Sequence, residues 1–164
     1  PTGTFDSVLC LGGPLSHVSG SRARRKAVSE LVRVAKRGAP IFVSVMGRLG
    51  VLTLAPRYWS DEVHSTATFK KMVEHGDDYK FYGKYYCHFF LPEELRELFP
   101  RTKVEIVQEV GLEGLSSPWL DYSTRLAKKD LIAWKNWLAA HNMLCTHPAV
   151  VAVSSHILVV CRKK

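Results

Sequence analysis

No apolar run in the 164 residues approaches the roughly 20 needed to cross a bilayer; the longest are Ala149-Val150-Val151-Ala152-Val153 and Ile157-Leu158-Val159-Val160. The expectation is a soluble chain. No basic, apolar and small-residue leader precedes the strand-like segment after Pro1-Thr2-Gly3-Thr4, and no initiator Met stands first, which fits an excised or processed piece. Cysteine is sparse: Cys10, Cys87, Cys145 and Cys161 are far apart, so a disulfide framework is not indicated and the reading is a reduced, cytoplasmic protein. Zinc spacing is missing too. His88 beside Cys87 and His147 near Cys145 have no second pair, and no metal is expected. Acidic residues are the scarcer charge, 15 against 23 Lys and Arg, and Arg22, Arg24, Arg25, Lys26, Arg33, Lys36 and Arg37 carry much of the excess. Internal repeats and low-complexity linkers are absent, and the length suits one domain.

What is present alternates between strand and helix patterns. Residues 5–11 form a short apolar run ending at Gly12-Gly13-Pro14, read as a buried strand and tight turn. Ser19 or Ser21 then caps a helix whose Ala23, Ala27, Val28, Leu31, Val32 and Ala35 keep the 3.6-residue period, with Gly38 closing it. Residues 41–45 are β-branched and apolar on both faces, a strand covered on both sides. Strand, helix, strand in this order predicts a right-handed βαβ unit in a parallel sheet. Residues 46–90 are looser and rich in aromatics, with a helix expected at 61–75; this stretch reads as an insertion or lid. Pro92 opens a short helix that Pro100 stops, and a strand follows at 104–110. A loop at 111–118, a helix at 130–141 and a last apolar strand at 156–161 complete the pass.

Residues 5–18, running through Leu11-Gly12-Gly13-Pro14-Leu15-Ser16-His17, resemble the fourth strand and following loop of class I S-adenosylmethionine-dependent methyltransferases. The helix at 24–34, the turn Lys36-Arg37-Gly38-Ala39-Pro40 and the strand at 41–45 are similar to that family's next helix, turn and fifth strand. His88-Phe89-Phe90-Leu91-Pro92-Glu93-Glu94-Leu95 resembles the opening of its following helix, and residues 104–114 and 155–160 look like its sixth strand and antiparallel seventh. The resemblance implies an α/β fold: a partial Rossmann-like sheet of parallel strands with an antiparallel C-terminal strand and helices on both faces. It implies S-adenosylmethionine as cofactor. Strands one to three of the family have no counterpart here, nor does the Gly-x-Gly loop or the acidic residue that holds the cofactor's ribose.

Methyl transfer to an O, N or S nucleophile asks the protein to align acceptor and methyl, exclude water and handle a proton. Ligands of such sheets sit beyond the C-terminal ends of the parallel strands. Leu11, Gly12 and Gly13 are therefore expected along the cofactor, and Ser16 and His17 as the groups that orient the acceptor or take its proton. Arg48, just past the second strand, is expected to meet an acidic substrate. Tyr82, Tyr85, Tyr86, His88 and Phe89 are expected to wall the acceptor pocket, their rings offering electron-rich faces to a sulfonium. His156, at the start of a buried strand, reads as a core histidine.

If three strands are missing, the run at 5–11 leaves an apolar edge with unpaired backbone groups, which predicts a homodimer or a second chain carrying the other half. Three functions stand at this point. One is methyl transfer to an unknown, preferably small-molecule acceptor, this chain supplying the acceptor side; another is an inactive assembly module joined through the sheet edge. The third is a nucleic-acid-binding domain using residues 22–37, although no aromatics interleave with those basic residues.

Overall fold

The computed structural model describes residues 1–81 and 83–164. Strand β1 (Val8–Cys10) leads through a 3-10 turn at Pro14–His17 into helix α1 (Ser21–Val34) and strand β2 (Pro40–Met46). Three helices follow, α2 (Arg48–Tyr58), α3 (Ser60–His64) and α4 (Thr66–His75), then a hairpin of β3 (Asp77–Phe81) and β4 (Tyr85–His88). Helix α5 (Pro92–Glu97), strand β5 (Val104–Gly111), a 3-10 turn at Gly114–Trp119, helices α6 (Leu120–Lys129), α7 (Leu131–Leu144) and α8 (Pro148–Val153), and strand β6 (His156–Lys163) complete the order.

The main sheet runs β1-β2-β6-β5. β1 and β2 are parallel, and β6 runs against both β2 and β5, so three strands share a direction and the last to be made lies reversed between two of them. Alternation along a strand separates the two faces. Ile41, Val43 and Val45 of β2 and Ile157, Val159 and Cys161 of β6 are fully buried on one face, packed in one cluster with Val28 and Val32 of α1 and Leu95 of α5. Each such side chain contributes about 1.5–3 kcal/mol by leaving water. Along the other face Leu9, Phe42 and Val160 stand opposite one another in register, Phe42 and Val160 only half-buried and Leu9 62% exposed. The expected two-sided cover of the second strand is therefore uneven.

β1 is shorter than the apolar run at 5–11. Phe5 makes only an isolated bridge to Ala35, and Gly12 and Gly13 take φ of 81° and 78°, left-handed values that turn the chain out of the sheet. Neither serine caps α1: Gly20 is its cap, without a side-chain bond, and Ser21 is its first residue. Gly38, expected at the helix end, instead serves the turn into β2, where its amide donates to the Lys163 carbonyl.

The stretch at 46–90, read as an insertion or lid, has a core of its own, Val51, Met72, Phe81, Cys87 and Phe89. The helix expected at 61–75 is interrupted at Ser65, where α3 ends and α4 begins. α7 contains the helix expected at 130–141, with Asp130 accepting from the Ala133 amide at 2.9 Å as its N-cap. α6 and α8 were not anticipated. Among the described residues no helix is long and apolar enough to cross a membrane.

Candidate functional site

The C-terminal ends of β1 and β2 are joined by side chains of two serines. The Gly12 amide donates to Ser44 Oγ at 2.9 Å and the Met46 amide to Ser16 Oγ at 3.0 Å, which pins the loop after β1 over the end of β2. A Cβ on Gly12 would meet nothing within 4 Å, so the backbone there borders open space beside Leu11, which is 52% exposed. A Cβ on Gly13 would stand 3.5 Å from Met46 Cγ, ordinary contact, and it is the left-handed φ of 78° that favours glycine at this position.

His17 is exposed at the end of the same loop, and its Nδ1 lies 3.0 Å from the Tyr86 carbonyl on β4. A carbonyl has no hydrogen to give, so Nδ1 is the protonated nitrogen and Nε2 is left with its lone pair in the neutral ring. Ser16, expected beside His17 as an acceptor-facing group, lies instead fully buried with its hydroxyl committed to Met46. It shapes the loop.

Behind His17 runs a chain of polar side chains from α1 to α5. Arg24, buried, donates to the Tyr86 hydroxyl at 2.9 Å and to the Val18 carbonyl at 3.1 Å, and its guanidinium lies 5.6 Å from the Phe90 ring centre. The Tyr86 hydroxyl donates to Asp77 Oδ1 at 2.6 Å, and His88 Nδ1 donates to the same oxygen at 2.8 Å. Burial pushes the Asp77 carboxyl up, but these two bonds outweigh it and hold it below its ordinary value. Burial also lowers His88, against the pull of Asp77, and its Nε2 stands 3.8 Å from Glu94 Oε2. Arg48 closes the chain on Glu94.

Several expected pocket residues are thus structural. Arg48, predicted to greet an acidic substrate, is only 3% exposed because α2 begins beneath the hairpin and its charge is met by Glu94. Phe89 is fully buried, edge-on to Phe81 at 5.2 Å between centres, and walls no open pocket. His88 and Tyr86 belong to the polar chain, Tyr85 is 58% exposed on the hairpin, and Tyr82 lies outside the described residues.

One pair went unnoticed in the sequence. Glu113, just past β5, accepts from His156 Nδ1 at 2.6 Å through one oxygen and from the His156 backbone amide at 2.8 Å through the other. The Glu113 bond raises the His156 pKa above its ordinary value in spite of burial, and burial of Glu113 is overcome by His156, leaving that carboxyl lowered. His156 is not a core residue: its side chain is 35% exposed.

The chain matches no known family profile and no curated protein. Among solved structures it is similar to a SAM-dependent methyltransferase of Methanosarcina mazei, with TM-score 0.56 and 18% identity over 99% of this chain and 60% of that one. The [4+2]-cyclase SpnF aligns with TM-score 0.47 and 18% identity over 99% of this chain and 51% of its own. The MccD protein aligns with TM-score 0.43 and 16% identity, over 99% and 62%. The chain therefore spans about three fifths of the length of the M. mazei enzyme. The four strands of its main sheet, with an antiparallel one set between two that share a direction, give it a class I S-adenosylmethionine-dependent methyltransferase-like fold.

Proposed function

We propose that this chain is the acceptor side of an S-adenosylmethionine-dependent methyltransferase and is completed by further polypeptide. The observation that carries the reading is the loop after β1, where open backbone at Gly12, exposed Leu11 and the fixed ring of His17 lie together at the ligand end of the sheet. Leu11, Gly12 and Gly13 fit one rim of the cofactor, which when bound supplies an electrophilic methyl group. The Gly-x-Gly loop and ribose-binding acid are not among these residues, so the other rim comes from elsewhere. His17 presents Nε2 to the acceptor, and its ring is set by the Tyr86 carbonyl, itself held through the Arg24 and Asp77 bonds to the Tyr86 side chain.

The acceptor is a small molecule rather than nucleic acid. Several cations of the basic stretch are engaged within the chain: Arg24 with Tyr86, Arg33 with Glu30, and Lys36 with Asp6.

β1 is an edge strand, with Phe5, Leu9 and Leu11 all at least half exposed. Such an edge invites pairing, and its occupant is the missing half, in the same polypeptide or another, or else a second copy of this chain. Two measurements test the proposal. Calorimetric titration with S-adenosylmethionine, joined to melting curves, is expected to show binding only when the edge is covered; saturation at about a hundred times Kd would add roughly 2.7 kcal/mol. Sedimentation of a bare chain that stays monomeric at micromolar concentration and is unaffected by S-adenosylmethionine would remove the homodimer. Failure to bind even beside a strand-donating N-terminal half would remove the enzyme reading.

A further inference from the structure

Among the described residues three histidines contact a carboxylate, and they differ in what they leave free. Glu74 and His75 meet at 3.9 Å on the exposed end of α4, a contact of little consequence in water. Asp77 and His88 are short but enclosed, with the second nitrogen of His88 facing Glu94. Glu113 and His156 combine a 2.6 Å contact, partial exposure, and an Nε2 with no hydrogen bond or ion pair among the described residues.

Their place in the fold is the ligand end. His156 stands opposite Met46 in the β2–β6 ladder, and directly opposed residues project from the same face. Met46 is also the residue whose amide binds Ser16, whose Cγ lies against Gly13, and whose sulfur meets Cys87 of the hairpin at 3.4 Å. His156 thus shares one strand end and one face with the loop that carries His17. Glu113 fixes it twice, through Nδ1 and through the backbone amide. The turn beneath is braced by two buried serines: Ser154 Oγ accepts the Gly114 amide at 2.7 Å, and Ser117 Oγ accepts the Ser155 amide at 2.9 Å.

We infer that Glu113 and His156 form an acid–base pair of the acceptor site, with His156 Nε2 taking the proton of an O–H or N–H acceptor. The inference rests on the methyl-transfer reading. The acceptor's bond to hydrogen breaks and the proton goes to Nε2, the freed electron pair forms the bond to the methyl carbon, and the carbon–sulfur bond breaks with its electrons passing to the sulfonium sulfur. Carboxylate support decides between the two histidines. The imidazolium formed at His156 is balanced by Glu113, whereas at His17 only a neutral carbonyl stands behind the ring, so His17 orients the acceptor and His156 receives the proton.

The test is long-range 1H–15N NMR of the whole histidine-labelled chain over a pH titration, joined to acylation by diethyl pyrocarbonate read by mass spectrometry. Neutral His156 is expected as the Nδ1–H tautomer, with Nε2 acylated as the ring deprotonates; Glu113→Gln should lower its midpoint by about one unit or more. A wild-type Nε2–H tautomer would overturn the assignment, as would His156 left unmodified while exposed His75 reacts, and neither needs a variant that folds. The two readings fail separately. A reactive, correctly oriented His156 in a completed protein that does not bind S-adenosylmethionine removes methyl transfer, while binding beside an unreactive His156 removes only the pair.

Discussion

Arg48 Nη2 lies 2.7 Å from both carboxylate oxygens of Glu94, and its Nε donates to the Phe89 carbonyl at 3.1 Å. Glu94 also accepts the Leu91 amide at 3.0 Å, so one carboxylate starts α5 and neutralises a cation that is 3% exposed. Removing one partner of a buried pair leaves the other charge unmet, about 3–5 kcal/mol, and the partial exposure of Glu94 places this case at the low end. Glu94→Gln is expected to destabilise by about 3 kcal/mol in urea unfolding. Arg48→Met combined with Glu94→Gln should recover part of the loss, and a double-variant loss equal to the sum of the two single losses would show that the charges do not interact.

The Glu113–His156 pair gives stability a pH window. His156 has its pKa raised from 6.5, so its contribution is whole below pH 6.5 and fades as pH rises through the raised value. Glu113 has its pKa lowered from 4.5, so its contribution is whole above pH 4.5 and fades as pH falls through the lowered value. Both act fully between about pH 4.5 and 6.5. Melting temperature against pH should lose that local maximum in Glu113→Gln, and an unchanged profile would mean that the pair is not formed in solution.

Glu62 behaves in the opposite sense to an ordinary carboxylate. Burial first, and then the neighbouring Asp78 charge, raise its pKa to about 7. Asp78 is fully buried, with its Oδ1 accepting the Lys80 amide at 2.8 Å, and its charge adds to burial in keeping the proton on Glu62. Protonated Glu62 favours the fold, a contribution present below pH 4.5 and lost as pH rises through about 7. Glu62→Gln, which keeps a donor without titrating, is expected to hold the melting temperature flatter between those limits.

Gly50 on α2 has no room for a methyl group, since a Cβ there would overlap the carbonyl of Ser154 and the amide of Ser155. Backbone cannot swing aside as a side chain can. Gly50→Ala is expected to destabilise by about 1–3 kcal/mol by overpacking and to shift the amide resonances of Ser154 through His156. A neutral substitution would mean that α2 and the start of β6 are not in contact.

Those elements whose periodicity matches their burial were readable in the chain itself: α1 with its 3.6-residue stripe, β2 and β6 with their β-branched runs. α8 was hidden because Ala149–Val153 has the composition of a strand, although Pro148 at its first turn and His147 Nδ1 accepting the Ala149 amide start a helix. α2 was hidden by Gly50 and Pro56 inside it. Arg48 read as exposed because nothing local announces that Glu94, 46 residues on, returns beside it. Glu113 and His156 are 43 residues apart, and only the reversal of β6 against β5 brings the end of one to the start of the other. A glutamate after a strand and a histidine opening the next antiparallel one was the available signal.

The position of β6 also sets the order in which this sheet can be assembled. Ile41 pairs with Cys161 and Val104 with Lys163, so β2 and β5 have no shared neighbour until β6 is in place. During synthesis the earlier strands therefore wait with open ladders until β6 emerges, and a sheet of such high contact order closes late. A stalled or clipped product lacking those eight residues is left with two strand edges to satisfy, the form in which chaperone binding and aggregation are to be sought.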